Sequence, residues 1–196
     1  KAMIYRPNQP GTSMTKAMTG SFYLTETVTL PAANASGAFI QGEIDISAYV
    51  NVPTGQALAI ESVDFVFQRA GLFTSDVKSF LAANGSVDAQ LCDLNPGTAF
   101  VRADDQSLVA SASLNCDIGN SIATAASDFY PDNHGPAALS EAFLVVNDSL
   151  FLNGVSAGAA VGANNMFVTA RIKCRVVKLS TTDWMAIAIQ STASDN

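Results

Sequence analysis

Three basic residues stand two apart in one short run, Arg171, Lys173 and Arg175, with Lys178 just beyond. On a β-strand, side chains at i, i+2 and i+4 share one face at roughly 7 Å spacing. Four of the ten Lys and Arg residues then line a single strand. Such a row can meet nucleic acid or the acidic faces of neighbouring subunits. It can equally pair across the sheet with acids of an adjacent strand, Glu43 and Asp45 for example, at about 0.2 to 1 kcal/mol a pair. The residues themselves support both readings.

No other residue set carries a chemical pattern of its own. The one histidine, His134, sits in the turn-like run Asp132-Asn133-His134-Gly135-Pro136, and no Gly-x-Ser-x-Gly elbow supplies a nucleophile for it to serve. The chain is therefore read as a non-enzyme. Asp104-Asp105, and Asp128 with Asp132, offer the oxygen ligands that calcium takes, but not at the spacing of an EF-hand loop. Solvated turn acids are the plainer account of all four. Cys92, Cys116 and Cys174 are an odd number with no Cys-x-x-Cys, so they are read as buried free thiols rather than a disulfide framework or a zinc site. Asn34, Asn84 and Asn147 begin glycosylation sequons, which arise readily by chance in a chain rich in Asn and Ser.

Composition narrows the partners. Charged residues make up only 14% of the chain, against about 25% in typical soluble domains. A surface so poor in charge suits a subunit whose faces neighbours cover, or a stable extracellular β-protein. The net charge of −7 argues against a dedicated nucleic-acid binder. The first 25 residues nevertheless hold Lys1, Arg6 and Lys16 and no acid. No apolar run approaches the roughly 18 residues of a membrane-spanning helix. The chain opens on Lys1 rather than Met, so a leader or a further stretch of arm is expected upstream.

The elements that must position these residues are strands. From Val168 to Val176 every second residue is apolar, which turns the basic row outward and Val168, Ala170, Ile172, Cys174 and Val176 inward. Trp184 to Ser191 is read as a final strand buried on both faces, with Met185, Ile187 and Ile189 in one row. Upstream, residues 1–20 form an extended arm. Strands are expected at Ser21–Leu30, where Glu26 breaks an apolar row and needs a partner or an edge position, and at Phe39–Ser47. A long strand, Ala57–Gln68, slips phase at Glu61-Ser62, the mark of a β-bulge or of a strand that changes burial partway. A short helix is expected within Asp76–Asn84, then strands at Ser86–Cys92, Ala99–Ala103 and Ser107–Cys116. Asp117–Ser140 reads as the longest loop. Ala142–Leu152 reads as a strand broken near Asn147-Asp148, and Asn153–Asn165 as a Gly/Ala-rich connection.

That inventory is all-β, eight or nine mostly antiparallel strands, and its natural home is a sandwich or jelly roll. In order, length and loop placement the strands resemble the single jelly-roll capsid (coat) proteins of small icosahedral viruses, over about residues 20 to 191. The resemblance is one of strand pattern. It implies an eight-stranded antiparallel jelly-roll β-sandwich over residues 21–196 behind an N-terminal arm over 1–20. It also implies a structural subunit that assembles with itself into a large shell in the virion. Other capsid proteins, and genomic nucleic acid along Arg171, Lys173, Arg175 and Lys178, are further partners it implies. No cofactor is implied beyond calcium at subunit interfaces. The chain differs from many RNA-packaging coat proteins in lacking an Arg-rich arm and in its acidic total. The alternative class is an extracellular β-sandwich that binds carbohydrate or acts as an adhesin. A sugar-binding face displays several aromatic platforms, whereas the single Trp184 lies in a run read as buried.

Overall fold

The computed structural model describes residues 16–73, 76–127 and 142–192. Its strands are β1 (Lys16–Ala17), β2 (Phe22–Leu30), β3 (Ile40–Asp45), β4 (Gln56–Arg69), β5 (Gly85–Cys92), β6 (Leu108–Asp117), β7 (Ile122–Ser127), β8 (Phe143–Val145), β9 (Ser149–Ala157) and β10 (Met166–Lys178), followed by the helix α1 (Thr181–Thr192). The strands form two antiparallel sheets. In one, β10 lies between β4 and a shared edge made by β1 and β2, and β8 closes the far side of β4. In the other the order is β3-β9-β5-β6-β7. Setting aside the two-residue β1 and the added hairpin strand β7, the orders are β2-β10-β4-β8 and β3-β9-β5-β6. The chain crosses between the layers from β2 to β3, β3 to β4, β4 to β5, β7 to β8, β8 to β9 and β9 to β10. This is the double Greek key of a jelly roll.

The alternation read in β10 is observed. Val168, Ala170, Ile172 and Cys174 are fully buried, and they lie beside Val28 and Leu30 of β2 and Leu58 and Ile60 of β4 within one core. Leu150 and Leu152 of β9 and Val87 and Leu91 of β5 close that core from the other sheet. Two glycines let the layers approach. A Cβ on Gly42 would stand 2.8 Å from Glu26 Oε1, and one on Gly154 would stand 2.9 Å from Val28 Cγ2. Glu26 thus points into the rim of the sandwich from an edge strand, as its place in an apolar row required.

Five expectations are corrected. The run read as a last strand, Trp184 to Ser191, is helical. Trp184, Ile187 and Ala188 stand at i, i+3 and i+4 and pack on Ala57, Ala59, Val146, Val177 and Leu179, on the outer side of the β10-β4-β8 sheet. Ser180 caps the helix: its Oγ accepts from Asp183 N at 3.2 Å and donates to Asp183 Oδ2 at 2.7 Å. Met185 and Ile189 are exposed rather than core. Ala99–Ala103 is not a strand, because its backbone bonds side chains instead of a ladder: Val101 exchanges two hydrogen bonds with the Gln90 amide, and Asn153 donates to Ala99 O. The expected helix within Asp76–Asn84 is only a 3-10 turn, Val77–Ser79, followed by a bridge from Leu81 to Val161. Part of the long loop is strand β7, paired to β6, while residues 128–141, with His134, lie outside the described residues. The Gly/Ala-rich connection begins later than expected, because β9 continues to Ala157. The break at Asn147-Asp148 is a change of sheet, from β8 to β9.

Candidate functional site: the basic row of β10

A one-residue irregularity in β4 decides what the basic row does. Lys173 is paired with Ser62 and Cys174 with Ile60, so Glu61 is the extra residue of a bulge. The phase slip read at Glu61-Ser62 is this bulge. It delivers the Glu61 carboxylate to the outer surface of the sheet, between two cations of β10. Glu61 is only 5% exposed. Arg175 binds its Oε1 through both Nε and Nη2, and Lys173 Nζ lies 3.6 Å from Oε2. Ser21 Oγ donates to the same carboxylate, 3.1 Å from Oε1 and 3.0 Å from Oε2. Ser21 is held there by the preceding residues. Met18 N donates to Val176 O at 2.8 Å, and Val176 N donates to Thr19 Oγ1 at 3.0 Å.

The other two members of the row are disposed differently. Arg171 is exposed, with its guanidinium 5.4 Å from the centroid of Tyr23 and with Asp64 as its cross-strand neighbour. Lys178 is exposed at the end of β10, opposite Lys16. The row is therefore split: Lys173 and Arg175 hold a buried acid, while Arg171 and Lys178 face solvent. The acids named as candidate partners, Glu43 and Asp45, do not reach it, because β3 belongs to the other sheet. Glu43 accepts from Ser149 Oγ at 2.7 Å, and hydrogen bonds from Ser47 hold the Asp45 carboxyl below its usual range. Cross-strand pairing is present, with Glu61 in their place. Ser21, the fourth member of this cluster, left no trace in the sequence.

Of the calcium candidates, Asp104 pairs with Arg102 at 3.2 Å, and Asp105 Oδ1 accepts from the amide and hydroxyl of Ser107. Asp128 and Asp132 lie outside the described residues. Among the described residues no group of three or more His, Cys, Asp or Glu is placed to hold a metal. Cys92, Cys116 and Cys174 are free and buried, and burial pushes the thiols of Cys92 and Cys174 up to about 12. The three sequon asparagines serve the fold: Asn34 donates to Ala38 O, Asn84 accepts from Ile118 N, and Asn147 donates to Asp93 O.

The outer face of the second sheet carries a row of amides beside the exposed acids Glu43 and Asp45. Gln41, Asn153 and Gln90 stand side by side across β3, β9 and β5. Together they bind the 95–101 segment through Asn95 Oδ1, Gly97 O, Ala99 O and Val101. One face of the sandwich is thus partly covered by its own loop, and the other is partly covered by α1.

Strand order and layer crossing define a jelly-roll β-sandwich. No protein-family model matches the sequence, and a search of curated proteins finds no match. Among solved structures, the chain is similar to VP1 of Trichodysplasia spinulosa-associated polyomavirus, whose structure is described as a complex with GM1 oligosaccharide. That match has 8% identity, covers 87% of this chain and 100% of that one, and has a TM-score of 0.43. A structure of Desmodium yellow mottle tymovirus matches at 9% identity over 92% of this chain and 95% of that one, with a TM-score of 0.27. Both matches are distant.

Proposed function

We propose that this chain is a viral capsid (coat) subunit that assembles with copies of itself into an icosahedral shell around the genome. One observation carries the reading: large apolar side chains are left exposed at both ends of the jelly roll. Leu72, Phe73 and Ile122 project at the end where β4 runs into β5 and β6 into β7, with exposures of 71%, 62% and 55%. Val52 projects at the other, and Met185 and Ile189 stand exposed on α1. Exposed apolar groups grouped in this way mark surfaces that a partner covers, and the chain's low charge agrees with that. The carbohydrate-binding alternative has less support, since Trp184 turns its ring toward Ala57, Ala59 and Val177. Contact with the genome, where it occurs along β10, falls to Arg171 and Lys178, because Glu61 engages the other two cations. Size-exclusion chromatography with light scattering, followed by electron microscopy, tests the proposal. Closed particles are expected. A chain that stays monomeric at high concentration across pH and salt overturns it.

A further inference from the structure

The sandwich has four strand edges, and they offer a neighbour very different things. At the edge of the first sheet, β8 is three residues long. In the second sheet, β7 and β3 have six each, and β3 turns Glu43 and Asp45 outward. The fourth edge is β2, nine residues from Phe22 to Leu30 that pair with β10 on one side only. Half of its backbone N–H and C=O groups therefore have no ladder partner among the described residues. Its outward row is Tyr23, Thr25, Thr27 and Thr29, without a charge, a proline or a lysine. These are the devices by which exposed edges are usually blunted. The one acid of the strand, Glu26, points toward Gly42 at the rim of the sandwich.

We infer that the free edge of β2 docks the β2 strand of a second copy of this chain, joining two β10-containing sheets into one continuous sheet. The inference deepens the shell reading and rests on it. Charge selects the edge. Each copy carries −7, so copies repel unless they meet where no acids face each other. Antiparallel pairing of β3 with its own copy would oppose Glu43 and Asp45 to their counterparts. Pairing of β2 about Thr27 opposes Thr27 to Thr27 and Thr25 to Thr29, a favourable cross-strand combination, and sets Glu26 opposite Val28 rather than a second Glu26. A two-fold axis across one strand also makes the edge complementary to itself, as a closed contact between identical chains requires. Main-chain hydrogen bonds supply the attraction, and the alternating side chains fix the register.

Hydrogen–deuterium exchange over residues 22–30, compared between dilute monomer and associated protein, tests the inference. In the associated protein the outward amides of β2 should exchange at least about tenfold more slowly, as newly bonded strand amides do. Thr25→Glu places a carboxylate on the outward row, where Arg171 lies directly across the strand and can receive it, so the monomer keeps its fold. The variant should lose the added protection and associate only at higher concentration. Thr29→Lys serves in its place should that variant fail to fold. Association with β2 amides exchanging as fast as in the monomer overturns this inference and leaves the shell reading standing. A chain that never associates overturns both.

Discussion

Glu61 shows how one side chain can decide the meaning of several others. Its carboxylate is nearly sealed from water, so its stability depends on Arg175, Lys173 and the Ser21 hydroxyl acting together. Removing one member of a buried ion pair typically costs about 3 to 5 kcal/mol, because the remaining charge loses its compensation. Arg175→Gln should therefore lower unfolding free energy by that order in urea titration. Arg171→Gln should remove only an exposed cation–π contact, about 0.5 to 1 kcal/mol. Equal losses from the two variants would show that Glu61 does not depend on Arg175. A second acid gives a prediction of opposite sign. Burial at the rim raises the Glu26 carboxyl above its usual value. No other titratable group among the described residues faces it from within the sandwich, since Glu43 and Asp45 on β3 and Arg171 and Lys173 on β10 project from the outer faces. The folded state then holds the proton more tightly than the unfolded state, so stability falls as pH rises from the unfolded value through the folded one. Above that window the ionised carboxylate opposes folding throughout. Glu26→Gln should raise the melting temperature at pH 7, and the gain should shrink toward zero below pH 4. A melting temperature unchanged at both pH values would contradict this.

At the scale of elements, β10 and α1 make a matched pair for testing the register. Ile172 is fully buried, so Ile172→Ala should cost about 2 to 5 kcal/mol in chemical unfolding. Ile189 is 63% exposed on the helix, so Ile189→Ala should stay within about 0.5 kcal/mol. A large loss from Ile189→Ala would restore the strand reading of that segment. The contrast also explains what could be read in advance. β10, β2 and β3 were legible because a sheet with one wet and one dry face imposes alternation, and the Glu61 bulge was legible because an inserted residue breaks that alternation. The residues from Trp184 to Ala188 are all apolar, so a period of two and a period of 3.6 fit them equally well. The deciding signal was the Ser180 and Asp183 cap three residues apart. The run Ala99–Ala103 misled for a different reason. Its β-like composition is satisfied by the amides of Gln90 and Asn153, which supply the hydrogen bonds that a neighbouring strand would have made. Side-chain mimicry of a ladder leaves no periodic mark. Nor did anything in the sequence place Ser21 against Glu61, a contact 40 residues apart that exists only because residues 18–21 run along β10.

For the whole molecule, the sign of the salt dependence separates two ways of building a shell. If copies meet through uncharged strand edges and apolar loop ends, the long-range force between them is the mutual repulsion of chains bearing −7. Added salt screens that repulsion, with a Debye length near 10 Å at 0.1 M and about 3 Å at 1 M. Association should then strengthen as sodium chloride rises from low to moderate concentration, and strengthen again as the pH falls toward the isoelectric point of about 4.4. If nucleic acid instead bridges the copies through Arg171 and Lys178, salt should act the other way. For each phosphate that a cation neutralises, the logarithm of the binding constant falls by about 0.7 to 0.9 per decade of salt. Two such phosphates per chain give a shallow negative slope, further reduced by the acidity of the rest of the surface. Sedimentation velocity of nucleic-acid-free protein, over a salt series at fixed pH, separates the two. A sedimentation coefficient that rises with salt supports assembly by protein contacts alone. Dissociation on adding salt, reversed by added single-stranded RNA, would sink that account and move the driving force to the exposed cations of β10.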